Sequence, residues 1–122
     1  MTPHNSFTIS GRCQSVVHAV RGIGVMLRTQ HNAWLHAAAT GIVGVLGFVL
    51  RLSTAEWCWI VLAVVSVWTA EALNTALEFL TDVASPEFHP LAEKAKDVAA
   101  GAVLIAAMGS LLIGILVMGP HL

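Results

Sequence analysis

Six of the seven acidic residues and both lysines of this 122-residue chain lie between Glu71 and Asp97, in EALNTALEFLTDVASPEFHPLAEKAKD. On a helix turning about 100° per residue, Glu71, Asn74, Thr75, Glu78 and Asp82 share one stripe, and Leu73, Leu77 and Leu80 spread over other faces. Carboxylates one or two turns apart can divide labour. One can ligate a divalent cation while the other takes a proton from a hydroxyl, a task favoured where burial makes the carboxylate more basic. Asn74 can orient either through hydrogen bonds. Lys96, with Lys94 two residues earlier, supplies point charges suited to phosphate oxygens. Asp97 can pair with Lys96 or accept from a ligand. A plainer reading stands beside this one: helices that leave a membrane commonly carry a solvated charged face, and Glu93, Lys96 and Asp97 need be nothing more. No glycine pattern of the nucleophile-elbow kind surrounds any serine, so an acyl-transfer triad has no support. His89, between Phe88 and Pro90, reads as a loop-packing residue.

The stretch is flanked by apolar runs that must position it. Ala33–Leu50 holds one ionisable residue, His36, and its eighteen residues are near the ~20 that cross a hydrocarbon core. Trp34 sits at its entry and Arg51 can snorkel at its exit. Gly41, Gly44 and Gly47 recur every third residue; with no lysine following and no strand preceding they are not a phosphate loop, and they read as a small-residue stripe that lets helices approach closely. After the turn LSTAE, a second run opens with Trp57 and Trp59, and its helical pattern continues through Glu71 to about Leu80. Ala84-Ser85-Pro86 ends it, because proline disfavours helical geometry in the residue before it. Pro90 suits the first turn of a third helix, which starts charged and then runs uncharged from Val98 to Met118. Ahead of all three, residues 1–10 read as a loose polar tail. The segment 11–30 is two-faced, with Gln14, His18, Arg21 and Arg28 on one side and Val16, Val17, Val20, Ile23 and Leu27 on the other. Such a helix can lie in the plane of a bilayer interface or pack as a surface helix on others.

Composition agrees. The chain is 57% hydrophobic and 11% charged, with a mean hydropathy of +0.78, far from an average soluble domain. A net charge of −1 with six scattered basic residues makes no nucleic-acid footprint. Cys13 and Cys58 are too few for a disulfide framework or a metal site. The opening residues lack a signal-peptide core. The expected fold is therefore all-α: one membrane-embedded domain over 1–122, an amphipathic interfacial helix over about 11–30, and spans over about 33–50, 57–80 and 98–118. Three spans bury too little to enclose a site alone, so an oligomer is expected. Arg12, Arg21, Arg28, Lys94 and Lys96 fall on one side and Arg51 on the other, which by the positive-inside rule places the amino terminus and the 81–97 loop in the cytoplasm.

The motif-bearing residues resemble the prokaryotic diacylglycerol kinase family, whose members include undecaprenol kinases. The family pattern runs E-x-x-N-(S/T)-A-x-E-x-x-x-D, then E-(Y/F)-H, then A-K-D. Here it is met by Glu71, Asn74, Thr75, Ala76, Glu78, Asp82, Glu87, Phe88, His89, Ala95, Lys96 and Asp97. The resemblance implies a homotrimer in the bacterial cytoplasmic (inner) membrane that transfers the γ-phosphate of ATP, with Mg²⁺, to a lipid hydroxyl. By similarity Glu71 is the base at that hydroxyl, and Asn74 binds lipid or phosphate. Glu78 binds Mg²⁺ and so touches ATP; Lys96 and Asp97, with Phe88 and His89 in the loop, form the nucleotide side. Arg12 lies near the lipid headgroup. One position departs: many relatives carry a Glu just before the first span, and here Gln30 replaces it. An amide carbonyl is a weaker ligand for a hard cation than a carboxylate, so Gln30 suffices, His31 or water fills in, or the chain is a degenerate homologue. The alternative from another class is a non-enzymatic membrane protein, a small channel or helper subunit whose acidic stripe is a vestibule. The wording SPEFHPLAEKAKDVAAGAVL leans towards the undecaprenol kinases.

Overall fold

The computed structural model describes residues 7–122, so six residues of the expected tail lie outside the described part. Four helices follow in order: α1 (Ile9–Thr29), α2 (His31–Val49), α3 (Thr54–Ala84) and α4 (Pro90–Met118), with a closing 3₁₀ turn over Gly119–His121. No strand occurs among the described residues.

Each boundary has a local cause. α1 starts two residues before the expected Gly11 because the Thr8 hydroxyl caps it, accepting from the Gly11 amide at 3.0 Å. One extended residue, Gln30, separates α1 from α2. α2 ends in paired bonds, Leu52 N to Gly47 O (3.1 Å) and Arg51 N to Phe48 O (3.3 Å), the Schellman arrangement. It places Arg51 at φ 56°, in the left-handed region. α3 begins earlier than Trp57 because Ser53 and Glu56 form a reciprocal capping box. It ends at Ala84, with Ser85 as its C-cap just before Pro86. Its 31 residues rise about 46 Å at 1.5 Å per residue, against a hydrocarbon core of about 30 Å. Roughly ten residues must therefore stand outside the lipid, and the polar stripe is at that end. His89 caps α4 through its ring Nδ1, which accepts from Leu91 N at 3.1 Å, with Pro90 in the first turn. That role is more definite than loop packing.

α3 and α4 form the main antiparallel pair, through Ala63, Val67, Ala99 and Val103. The Ser110 hydroxyl donates to Ala63 O at 2.9 Å. At the end away from the charged loop a small cluster of Leu52, Ile60 and Met118 closes the bundle, and His121 Nε2 meets Glu56 Oε2 at 2.7 Å. α2 is hung on α3 by three rungs: Gly47 under the Trp57 ring, Trp68 Nε1 donating to Thr40 Oγ1 at 3.0 Å, and His36 against Glu71. Between apolar helices in lipid, close approach and hydrogen bonds take over from the hydrophobic effect. Of the glycine stripe only Gly47 makes such an approach among the described residues; there Gly41 and Gly44 have open space where a Cβ would stand. The Trp34 indole ties α2 back to α1 by donating to Leu27 O at 2.6 Å. Outward from this frame, α2, α3 and α4 expose Phe48, Val61, Ile105, Leu112 and Leu116. These three helices are long and apolar enough to cross a membrane.

Candidate active site

The polar stripe of α3 changes character along its length. Glu71 is 0% exposed, Asn74 and Thr75 are buried, Glu78 is half-buried and Asp82 is exposed. Thr75 spends its hydroxyl on Glu71 O at 2.9 Å, a within-helix bond that explains its burial without a ligand. Asn74 Nδ2 donates to Glu78 Oε1 at 3.4 Å, one turn on. Among the described residues neither Glu71 carboxylate oxygen accepts a hydrogen bond, and the buried Asn74 Oδ1 also has no donor. Buried polar groups without partners cost about 1–3 kcal/mol each. A group of them on one helix face calls for a partner that these helices do not supply, such as a water, an ion or a ligand.

Burial of Glu71 is completed by a residue the stripe does not contain. His36 Nε2 lies 3.3 Å from Glu71 Oε2, within ion-pair reach but off the line of a hydrogen bond, and Nε2 has no other partner among the described residues. The contact joins residues 35 positions apart, which no helical spacing reveals. The available signal was that His36 is the single ionisable residue in its span.

On the α4 side, Lys96 Nζ meets Asp82 Oδ1 at 2.6 Å. It does not pair with its neighbour Asp97, which points elsewhere because consecutive helical residues do not face each other. Lys96 stands on the charged opening of α4, before the apolar run from Val98. The Asp82 bond raises its pKa from the ordinary lysine value, which favours the cationic form. Asp97, Phe88 and His89 are exposed at the same end, and the connecting loop is braced by Ser85 Oγ donating to Glu87 O at 2.9 Å. Gln30 is half-buried at the α1–α2 break, with its amide nitrogen 3.5 Å from Thr29 Oγ1. Arg12 is exposed on α1 and stacks over the Phe7 ring, 5.1 Å from its centroid. Among the described residues no polar contact brings Gln30 or Arg12 to the α3 stripe.

Two grooves lead to this end. One, of about 850 Å³, runs between α3 and α4, with Leu73, Leu77 and Val98 on its walls and Asn74 and Lys94 as its polar edge. The other, of about 550 Å³, runs among α2, α3 and α4 and has His36 and Thr40 in its wall. No cluster of three or more His, Cys, Asp or Glu side chains suited to a metal occurs among the described residues. Mg²⁺ asks for less, since it keeps waters and takes one or two carboxylates together with phosphate oxygens. Glu78 fits that demand: Asn74 holds Oε1, and Oε2 makes no hydrogen bond among the described residues.

The comparisons with known proteins bear on this geometry. Residues 17–118 match the model of the family described as prokaryotic diacylglycerol kinase. The undecaprenol kinase of Bacillus subtilis is 45% identical over 109 residues, covering 89% of each chain. The diacylglycerol kinase of Synechocystis is 35% identical over 98 residues, 80% of this chain and 56% of the relative. That of Escherichia coli K12 is 27% identical over 112 residues, 84% of this chain and 89% of the relative. The matched span runs from within α1 to the end of α4 and includes every predicted site residue except Arg12. The chain therefore belongs to the prokaryotic diacylglycerol kinase family of lipid kinases, as a multi-pass membrane protein with three spanning helices.

Proposed function

We propose that the protein transfers the γ-phosphate of ATP to the hydroxyl of a membrane lipid at the cytoplasmic face, with undecaprenol preferred over diacylglycerol. The single observation that carries this is the set of buried oxygens on Glu71 and Asn74 with no partner among the described residues, beside two grooves of mainly apolar wall: Asn74 edges one, and His36, against Glu71, borders the other. A lipid alcohol can lay its chain against such walls and bring one hydroxyl to the carboxylate. The preference for undecaprenol is supported by the 45% identity to a protein of that activity over most of both chains.

In this reading the lipid hydroxyl gives its proton to Glu71, its oxygen attacks the γ-phosphorus, and ADP departs with the bridging oxygen. Phosphoryl transfer depends chiefly on positioning and charge neutralisation. Lys96 supplies a fixed cation to the phosphate oxygens, and Asn74 orients the acceptor. Asp97, Phe88 and His89 line the side from which nucleotide arrives, and Arg12 sits at headgroup level. Glu78, with Gln30 as its partner, would hold the Mg²⁺ that accompanies ATP and neutralises phosphate charge. A homotrimer in the cytoplasmic membrane, amino terminus inside, would cover the outward apolar faces and the open Gly41 and Gly44 positions.

The test is phosphate transfer from γ-labelled ATP to undecaprenol and to diacylglycerol in mixed micelles. Transfer to undecaprenol at the higher kcat/KM is expected. No transfer to either lipid by folded protein overturns the reading, and a diacylglycerol preference overturns the choice of lipid.

A further inference from the structure

An ionisable residue inside a spanning helix is costly to keep there and is functional by default. His36 is the only one in α2 beyond its first residue, and its ring is held with some care. The Thr40 hydroxyl donates to His36 O at 2.7 Å and in turn accepts from Trp68 Nε1. The Trp68 ring lies edge-on to the imidazole, with centroids 6.2 Å apart. This bracket registers α2 against α3 so that Nε2 faces Glu71 Oε2 at 3.3 Å. Glu71 itself is 0% exposed, whereas the His36 side chain is 17% exposed and borders the 550 Å³ groove.

That difference in exposure poses a chemical problem. A base that takes one proton per turnover must also lose one, and a carboxylate sealed from solvent has no water to give it to. Resting on the reading of Glu71 as the base, we propose that His36 is the positioning residue for Glu71 and the outlet for its proton. The lipid O–H bond breaks and the proton passes to the carboxylate. Glu71 returns to carboxylate by giving a proton to His36 Nε2, and the imidazolium then gives one to a water molecule beside its exposed edge, near the start of α2. No oxidant is needed, water is the final proton acceptor, and the charge of the pair is restored at the end of each cycle.

Four variants and one spectrum test this, each checked for folding by thermal melting and gel filtration. Histidine-borne proton transfer of this kind contributes about 10²–10⁴-fold. His36→Ala is therefore expected to lower kcat for lipid phosphorylation about 100-fold with KM for ATP unchanged. Imidazole added to the medium should restore much of that loss, entering through the groove beside the vacated ring. His36→Asn, which keeps a donor near Glu71 but cannot carry a proton, should stay slow, and His36→Leu should be slow and unrescued. Between the wild-type chain and folded Glu71→Gln, the ¹⁵N resonance of His36 Nε2 should move while those of His18 and His89 stay in place. Wild-type turnover in His36→Asn, no rescue of a folded His36→Ala, or an unmoved resonance overturns the proposal. If the wild-type chain phosphorylates no lipid, it is the kinase reading that fails, and the resonance shift still reports on the pair.

Discussion

Glu71 and Gln30 carry opposite expectations. Removing the carboxylate charge in Glu71→Gln, a near-isosteric change, leaves the burial intact and should lower turnover at least about 100-fold, measured as lipid phosphate formed at saturating ATP. Gln30→Glu should keep or raise turnover and shift the magnesium dependence of the rate to lower concentration, because a carboxylate is the better ligand for a hard cation. A dead Gln30→Glu enzyme would show that the amide at this position is required rather than tolerated. The residues of the stripe were legible because helical spacing puts Glu71, Asn74 and Glu78 on one face and because such residue types are costly near lipid. Two pairings were not legible. His36 with Glu71, and Lys96 with Asp82 rather than Asp97, depend on how α2 and α4 dock on α3, and one sequence carries no record of that docking.

At the scale of the helices, the α2–α3 turn combines a strained residue with a close approach. Arg51 holds φ 56° where a glycine would stand without strain. Arg51→Gly is accordingly expected to stabilise the chain by about 1 kcal/mol, the lower end of the left-handed cost for a residue with a Cβ, read from unfolding in detergent. Gly47→Ala should do the reverse by about 1–3 kcal/mol, since an added Cβ would run into the Trp57 ring and overpack a fitted contact. Gly41→Ala meets nothing among the described residues and should stay within about 0.5 kcal/mol in the separated chain. The three glycines look equivalent in sequence, and only the position of Trp57 tells them apart. Helix count and order were legible from the apolar runs and proline breaks. Helix ends shifted outward, by two residues at α1 and three at α3, because the caps Thr8 and Ser53 lie beyond the periodic pattern that a hydrophobic reading follows.

For the molecule as a whole, the charge asymmetry makes a topological forecast that an intrinsic reporter can check. Cys13 is exposed on α1, one residue from Arg12. A membrane-impermeant maleimide should label it in inverted membrane vesicles and leave it unlabelled in right-side-out vesicles; the opposite pattern would reverse the orientation. That the fold crosses lipid was legible from composition alone, because no arrangement of so many apolar residues in so short a chain could hide them all. The three rungs between α2 and α3 have a further consequence, for heredity rather than chemistry. His36 with Glu71, Thr40 with Trp68 and Gly47 with Trp57 share one antiparallel register. A single residue inserted into α2 between Thr40 and Gly47 would turn everything on one side of it by about 100° relative to the other, and the rungs could not all be met. Descendants of this chain are thus free to exchange the outward residues of α2 for other apolar ones, but not to change its length, so divergence here should be recorded as substitutions and almost never as gaps.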